Sequence, residues 1–422
     1  VPDVWKKADA IPVPKNKAPS DINKDLRPIS LTATLSKTCE RFVADWLMQS
    51  IGEKIDKRQF GSIKNSSTTH ALLSMVHHLL NETDASKNSV RIFVLDFSKA
   101  FDYIDHNILL NKLSVLNVPP VIINWIRSFL TRRSQRVRMS HCMSEWQILN
   151  GGVPQGTVLG PTLFLILIND LLTDWKDRWK YVDDTTTAET IGPDCNSNLQ
   201  DLVNYIVTPT KDNNMKLNVE KCKELIIDFA RKKHHFPPLT VDDIKVERVN
   251  STCILGLTVQ DNMKWNEHIH NIVKKASKRL YMLRLLKRSN ASTDTLITVY
   301  TTIIRPVLEY ACQVWHYNIQ QYLSEDIEKI QKRAFRIILP TQKYDEALTK
   351  TNIMSLRNRR EKLCEQFFET NISNEKLKDL LPQTTLYEYE LKSVPKYHNY
   401  LCRTERFKNS FLPQSIIKIN SN

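Results

Sequence analysis

The chain has 422 residues, 41% hydrophobic and 25% charged, which excludes a disordered tail and, at this length, a single compact core. Sixty lysines and arginines against 46 aspartates and glutamates leave a net charge of +14, so an anionic partner is expected, nucleic acid or an acidic membrane surface. Eight scattered cysteines without a Cys-x-x-Cys pair exclude a zinc module and a disulfide framework, which suits reduced thiols in nucleus or cytoplasm.

The opening, 1–26, interleaves Pro12, Pro14 and Pro19 with Lys15, Lys17 and Lys24. Proline bars a helix interior, so an extended basic arm or edge strand is expected. A helix starts at Leu35, with Leu35, Phe42, Val43, Trp46 and Leu47 largely on one face. A second runs over 67–80 behind the Ser/Thr cluster at 66–69. Residues 91–97 read as a strand buried on both faces, with Asp96 near its C-terminal end. A carboxylate there needs a partner, and a metal ion or a ligand supplies one.

Helices follow over 107–116 and 119–130, and then a strand in which Arg136 and Arg138 share a face. That face suits a solvated edge or a phosphate contact equally well. Four of the eight glycines, Gly151, Gly152, Gly156 and Gly160, fall within ten residues, which marks a specialised loop in so glycine-poor a chain. An apolar helix over 162–172 follows, with Pro161 at its first position. Free N–H groups at that terminus suit a phosphate or nucleotide, although no Walker Gly-Lys-Ser/Thr follows. The apolar run is too short to span a bilayer, which takes ~20 residues.

Residues 179–187 read as a hairpin whose turn carries Asp183 and Asp184. Alone, Asp-Asp is also ordinary turn chemistry. A helix over 198–205 and strands over 224–229 and 254–259 come next. The helix over 267–288 places Ile269, Ile272, Val273, Ala276, Leu280 and Leu283 on one stripe, with Lys274, Lys275, Lys278, Arg279 and Arg284 on other faces. A basic helix of this kind can lie along nucleic acid. Helices over 293–305 and 324–339 follow, the latter with Glu325 and Asp326 in its first turn. Residues 341–422 are helix-prone, then loop-rich, and show no legible chemistry.

These pieces, in this order, resemble the reverse transcriptase of jockey-like non-LTR retrotransposons. The matching stretches are Leu26-Arg-Pro-Ile-Ser-Leu31, Gln59-Phe-Gly61, Leu95-Asp-Phe-Ser-Lys-Ala-Phe-Asp102, Gly151-Gly-Val-Pro-Gln-Gly156 and Tyr181-Val-Asp-Asp184. They continue with Met215-Lys-Leu-Asn218 through Lys221, Leu255-Gly256 with Trp265 and His268, Arg305-Pro306 with Tyr310 and Trp315, and Arg403-Thr-Glu-Arg-Phe407. Pro209 departs from the pattern, standing where relatives usually carry Trp.

The resemblance implies an α/β (α+β) right-hand polymerase with palm, fingers and thumb and a helical C-terminal region. Residues 1–89 would be fingers and the start of the palm, truncated at the N-terminus; 90–260 palm with inserted fingers at about 107–150; 261–340 thumb; and 341–422 a helical and loop region. The implied activity is RNA-directed DNA polymerisation, by in-line transfer of a dNTP to a primer 3′-hydroxyl. Two Mg²⁺ ions (or Mn²⁺) about 3.5–4 Å apart serve such chemistry. Asp96, Asp183 and Asp184 would be catalytic, and with the Phe97 carbonyl would hold the metal.

By the same resemblance, Arg27, with Lys15 and Lys17, reaches the phosphates, while Lys99 and Ala100 border them. Phe101 would block a ribose 2′-hydroxyl, and Gln155 and Gly156 line the pocket. Lys221 is a candidate general acid for pyrophosphate, and Leu255-Gly256 resembles the turn that grips the primer end. The implied partners are an RNA template, a DNA primer or target DNA, and dNTPs, with no membrane; the upstream endonuclease domain of relatives is expected to be absent. Besides a structural scaffold, which gives no reason for the acids and the glycine loop to occur together, two other readings are a catalytically silent nucleic-acid-binding remnant and a viral-type RNA-dependent RNA polymerase. The second would favour Gly before the acidic pair, where this chain has Val182.

Overall fold

The computed structural model describes residues 1–15, 18–84, 88–382 and 396–421; Lys17, named above beside the phosphates, lies outside them. β1 (Lys7–Pro14) and β2 (Leu26–Leu31) pair antiparallel through the short α1 (Ile22–Asp25). α2 (Thr34–Ile51) buries Ser36, Glu40, Val43, Leu47 and Ile51. This corrects the expected face, because Leu35, Phe42 and Trp46 are exposed. The inward stripe is the one that carries Glu40, for a reason found at the glycine loop. α3 (Thr68–Asp84) is buried along most of its length.

β3 (Ser89–Leu95) is followed by α4 (His106–Val115) and α5 (Pro120–Leu130). β4 (Ser134–Met139) runs parallel to β1 and takes β5 (Cys142–Met143) and β6 (Gln147–Ile148) on its other side. β4 is therefore interior and has no free edge. Arg136 and Arg138 both turn to Asp9, at 2.7 and 3.7 Å, and Arg136 stacks on Trp146. The expected solvated edge is therefore corrected.

α6 (Leu159–Leu167), β7 (Arg178–Tyr181), β8 (Asp184–Ile191), α7 (Leu199–Asp212) and β9 (Lys223–Asp228) complete the centre. β10 (Thr240–Val241) and β11 (Ile244–Lys245) form a small hairpin, and β12 (Glu247–Val249) joins β9. The main sheet has the order β12-β9-β3-β8-β7. Strand alternation gives β3 two buried faces: Val90 and Ile92 meet α3, while Phe93 and Leu95 meet the α2–α6–α7 side. α7 continues through Pro209.

The segment expected as one strand over 254–259 is a hairpin, β13 (Ser251–Ile254) and β14 (Leu257–Gln260). Leu255 and Gly256 both have positive φ, 47 and 81°, the signature of a two-residue I′ turn. The remainder is helical: α8 (Asn266–Arg288), α9 (Thr293–Val299), a π-helical stretch Tyr300–Ile304, α10 (Arg305–Glu309), α11 (Cys312–Trp315) and α12 (Gln321–Ile338). Glu325 and Asp326 therefore fall in the second turn of α12, past its expected start. α13 (Tyr344–Thr351), α14 (Leu356–Asn371), α15 (Glu375–Lys378), α16 (Glu405–Lys408) and α17 (Phe411–Ser421) follow. α11, α15, α16 and α17 all pack on α3. Asp84 at the end of α3 accepts hydrogen bonds from the Arg403 and Thr404 N–H groups, both at 2.7 Å.

One buried ionic knot ties these layers together. Lys180 on β7 is fully buried. Its ammonium donates to the Ile168, Asn169 and Leu171 carbonyls at 3.2, 3.0 and 2.6 Å. It also pairs with Asp56 at 2.8 Å. Asp56 takes two further bonds from Arg178, at 2.9 and 2.7 Å. Burial pulls the Lys180 pKa down against the attraction of Asp56; the carboxylate, held by two cations, is the partner whose charge is secure.

Burial alone would raise the Asp56 pKa, but Arg178 and Lys180 outweigh it and hold it at about 2. A carboxylate depressed in the folded state adds stability above its unfolded pKa and loses it as pH falls towards the folded value. With its side chain only 1% exposed, Asp56→Asn should cost about 1–2 kcal/mol near neutrality. The gap from wild type should narrow between about pH 4 and pH 2. Urea unfolding at several pH values checks this; a gap that ignores pH would refute it.

Candidate active site

Antiparallel pairing of β3 with β8 sets Leu95 opposite Thr185. The same register carried one step further brings Asp96 beside Asp184. β7 and β8 close with Tyr181 opposite Asp184, which leaves Val182 and Asp183 as the turn. Val182 has φ 58°, a position where a hairpin normally places glycine and where a β-branched residue is strained.

Three contacts hold this strained turn. Gln59 Oε1 accepts from the Gly61 and Val182 N–H groups at 2.9 and 3.3 Å. The backbone at Arg58 and Phe60 bonds to Lys180 on both sides, at 3.0 and 2.8 Å. Gly61 lies so close that an added Cβ would stand 2.6 Å from the Val182 nitrogen.

At the end of β3, Phe97 bridges Leu217, with Ser98 N–H donating to the Lys216 carbonyl and Asn218 N–H to the Asp96 carbonyl, each at 2.8 Å. Among the described residues no hydrogen bond ends on the Phe97 carbonyl. The Phe101 ring leans on Phe164, 5.2 Å between centroids. Beneath it, Gly152 and Val153 donate to the Ile104 and Phe101 carbonyls at 2.8 Å. Gly152 has φ 74°, and a Cβ there would meet the Asp102 carbonyl at 2.7 Å. Gly156 has φ 115° and packs as tightly on Ser30, whose N–H donates to the Gln155 carbonyl at 2.7 Å. The loop thus ties β2 to the acidic end of β3.

The N-terminus of α6 is already filled, contrary to the expected phosphate cradle. Val158 and Leu159 N–H groups donate to Glu40 Oε2 at 2.7 and 3.2 Å. Glu40 is fully buried and receives the Ser36 hydroxyl at 3.0 Å. A carboxylate is the natural occupant of a helix N-terminus, and here the protein supplies its own. α6 begins at Leu159, so Pro161 sits inside the first turn and not at its start.

The three aspartates act on one another. Crowding by protein first, then the Asp183 and Asp96 charges, push Asp184 up to about 6. Asp183 is raised chiefly by the same crowding and by Asp96, against the opposing pull of Arg27. Both side chains still reach solvent. Asp96 Oδ2 has no hydrogen-bond donor; its described ion pair is with Lys221, at 3.4 Å.

A site so short of positive charge, built from hard oxygen donors, fits a divalent cation. Among the described residues no three His, Cys, Asp or Glu side chains enclose an ion by themselves.

Other expected residues fall as follows. Arg27 is exposed on β2 and its charge reaches Asp183. Burial raises the Asp102 pKa, against the charges of Lys99, exposed with φ 47°, and Lys15. Ala100 turns its side chain into the core, so it could meet a triphosphate only through its backbone. Lys221, expected near pyrophosphate, is the counter-ion of Asp96 in this state.

Leu255 of the Leu255-Gly256 turn shares a small cavity with Trp179, Tyr181 and Asp184. Tyr310 hydroxyl braces this turn by donating to the Leu255 carbonyl at 2.6 Å. Glu40, Lys180 and Tyr310 had no role assigned from sequence. Glu40 left a signal there as an acid on the stripe shared with Val43 and Leu47, and Tyr310 as part of the family resemblance.

Comparison with known proteins gives a match of residues 13–264, more than half of the chain, to the family model "Reverse transcriptase (RNA-dependent DNA polymerase)". A short second match, residues 265–305, is to the N-terminal region of alkylated DNA repair protein alkB homolog 8. The chain is 28% identical over 354 residues to the RNA-directed DNA polymerase from mobile element jockey of Drosophila melanogaster, covering 80% of this chain and 38% of that protein. It is 25% identical over 364 residues to the probable RNA-directed DNA polymerase from transposon BS of the same organism, covering 82% and 40%. The chain therefore spans about two fifths of the length of these relatives. Among solved structures, apo telomerase from Candida tropicalis aligns with a TM-score of 0.48 at 12% identity, over 89% of this chain and 63% of that chain.

The close approach at Gly61 gives a direct test of the site's architecture. Gly61→Ala should displace the Val182–Asp183 turn and cost about 1–3 kcal/mol, as overpacking does. Urea unfolding and the amide resonances of 181–184 report the two effects. Wild-type values in both would show that the turn does not rest on Gly61.

Proposed function

The chain belongs to the reverse transcriptase (RNA-dependent DNA polymerase) family, and from that premise we propose that it copies an RNA template into DNA by extending a primer, as the polymerase portion of a jockey-like non-LTR element. The observation that carries this reading is the register of β3 on β8, which brings Asp96 to the hairpin that bears Asp183 and Asp184. In the right-hand fold, we assign the sheet β12-β9-β3-β8-β7 with α3, α6 and α7 to the palm. The β1–β2–β4 sheet with α2 is assigned to the fingers, and α8 to α12 to the thumb.

Asp96, Asp183 and Asp184, with the Phe97 carbonyl, would hold magnesium. When bound, such ions supply the positive charge that steadies the oxygens of an in-line phosphoryl displacement. The chain's own residues do the rest. Arg27, opposite Asp183, and Lys99 would neutralise the incoming triphosphate, with Lys15 close by. Phe101, fixed in place by Phe164, would stand against the 2′ position of the sugar. Gln155 and Gly156 would line the pocket from the loop that joins fingers to palm.

The I′ turn Leu255-Gly256, braced by Tyr310, would hold the primer end next to Asp184. α8 exposes Lys274, Lys275, Lys278 and Arg284 beside Tyr281, and among the described residues none of the four has an ion-pair partner. Such a face tracks a phosphate backbone without reading bases. Lys221 could shift from Asp96 to pyrophosphate once a cation has taken the carboxylate.

Primer extension with an RNA template, a DNA primer, Mg²⁺ and dNTPs is the test. The chain should make product, and Asp183→Ala should lower the rate on the order of 100-fold or more. A fully active Asp183→Ala would remove the site assignment. No product from a folded wild-type chain that still binds the primer–template would instead mark a silent remnant.

Sugar selection gives a second prediction. Phe101→Ala should raise ribonucleotide use relative to deoxynucleotide by about 10- to 100-fold. Competition between dNTP and NTP measures it, and an unchanged ratio would take the gating role from Phe101.

A further inference from the structure

The turn that carries Asp183 and Asp184 rests on Gln59, and Gln59 in turn rests on the C-terminal part of the chain. Lys376 on α15 points its ammonium at the opposite side of the 57–60 segment. It donates to the Lys57 carbonyl at 2.6 Å and to the Gln59 carbonyl at 2.7 Å. The same ammonium lies over the Phe60 ring, 5.1 Å from its centroid. Among the described residues no carboxylate forms an ion pair with it. Its bonds are therefore spent on the backbone that carries Gln59.

Neighbouring residues anchor α15 at this place. Asn374 donates to the Asn65 carbonyl at 2.8 Å, and Asn371 meets His70 Nε2 on α3 at 2.9 Å. The segment 57–61 is thus held from two sides. One side bonds Lys180 on β7, and Gln59 reaches across to the Val182 N–H. The other side is closed by Lys376. A β-branched residue in the left-handed region is strained and persists only where its surroundings over-determine it. Lys376 is the outermost of those surroundings.

We infer that Lys376 is a positioning residue for the catalytic turn, acting through the Lys57 and Gln59 carbonyls and the Gln59 side chain on Val182, and so on the placement of Asp183 and Asp184. This gives the C-terminal region a part in catalysis without contact with substrate. It rests on the polymerase reading above. Burial lowers the Lys376 pKa, as expected for an ammonium committed to carbonyls inside the fold.

The test compares Lys376→Met, which keeps the stem and removes the donor, with Lys378→Met, which removes an exposed charge from the same short helix. Lys376→Met should lower kcat for primer extension about tenfold, since small misplacements at a distance have such effects, while KM for dNTP stays within about twofold of wild type. Lys378→Met should leave both constants alone. Equal losses in the two variants, or a loss confined to KM, would overturn the inference.

Should Lys376→Met not fold, the comparison moves to Gln59. Gln59→Glu keeps the acceptor for Val182 N–H and should retain most of kcat, whereas Gln59→Met should not; equal rates would overturn the inference. If the wild-type chain makes no product at all, the polymerase reading is what has failed. The brace is then read from amide exchange, which Lys376→Met should speed at Gly61 and Val182 but not within β8. Unchanged exchange at those two amides would overturn it.

Discussion

A valine held at φ 58° between two β-strands is the constraint on which the acidic centre depends. No II′-like turn selects valine by itself, because its branched Cβ meets the backbone where glycine would meet nothing. The turn exists because Gln59, Gly61 and the backbone of 58–60 leave it no alternative. That packing also settles the direction of Asp183. A more relaxed turn would let the two carboxylates follow solvent. Strain at the hairpin and rigidity behind it are two aspects of one design.

The second organising feature is electrostatic. A chain with net charge +14 gathers three carboxylates at one point and leaves them under-compensated. Asp184 is pushed up to about 6 by crowding and by its acidic neighbours, and Asp96 keeps an oxygen without a donor. Elsewhere the fold treats buried acids in the opposite way. Asp56 receives Arg178 and Lys180, Glu224 receives Arg91 and Arg248, and Glu40 receives two helix N–H groups. The contrast separates two kinds of acid: those saturated with donors, and the three at the turn, which stay short of positive charge.

The parts of this arrangement legible in the sequence were those that local chemistry specifies. The doubly buried strand ending at Asp96, the acidic hairpin and the glycine-rich loop each announce themselves through pattern or composition. Long-range partners left little trace. The face of α2 was misjudged because Phe42 and Trp46 outweigh Glu40 in any apolar count, yet Glu40 is the residue that must point inward to cap α6. The 254–259 run read as one strand because leucine at φ 47° is not a turn residue by propensity. Arg136 and Arg138 suggested a free edge, since nothing near them in sequence shows that Asp9 and β1 lie alongside. The C-terminal region was opaque for the same reason. Its anchors, Asp84 and the 57–65 segment, lie some 300 residues away.

The glycine loop shows how a motif can be noticed for one reason and used for another. Its sequence suggested free N–H groups for a phosphate at the start of α6, but Glu40 holds them. The glycines answer to steric needs: Gly152 passes beneath the Asp102 carbonyl and Gly156 beneath that of Ser30. Backbone approaches of this kind join β2, which carries Arg27, to the turn that carries Phe101. The connection is made of close backbone contacts. Glu40 adds a fixed point on the other side, pinning α6 and with it Phe164, on which Phe101 leans. The surroundings of Phe101 and Gln155 are thus set by tight backbone packing.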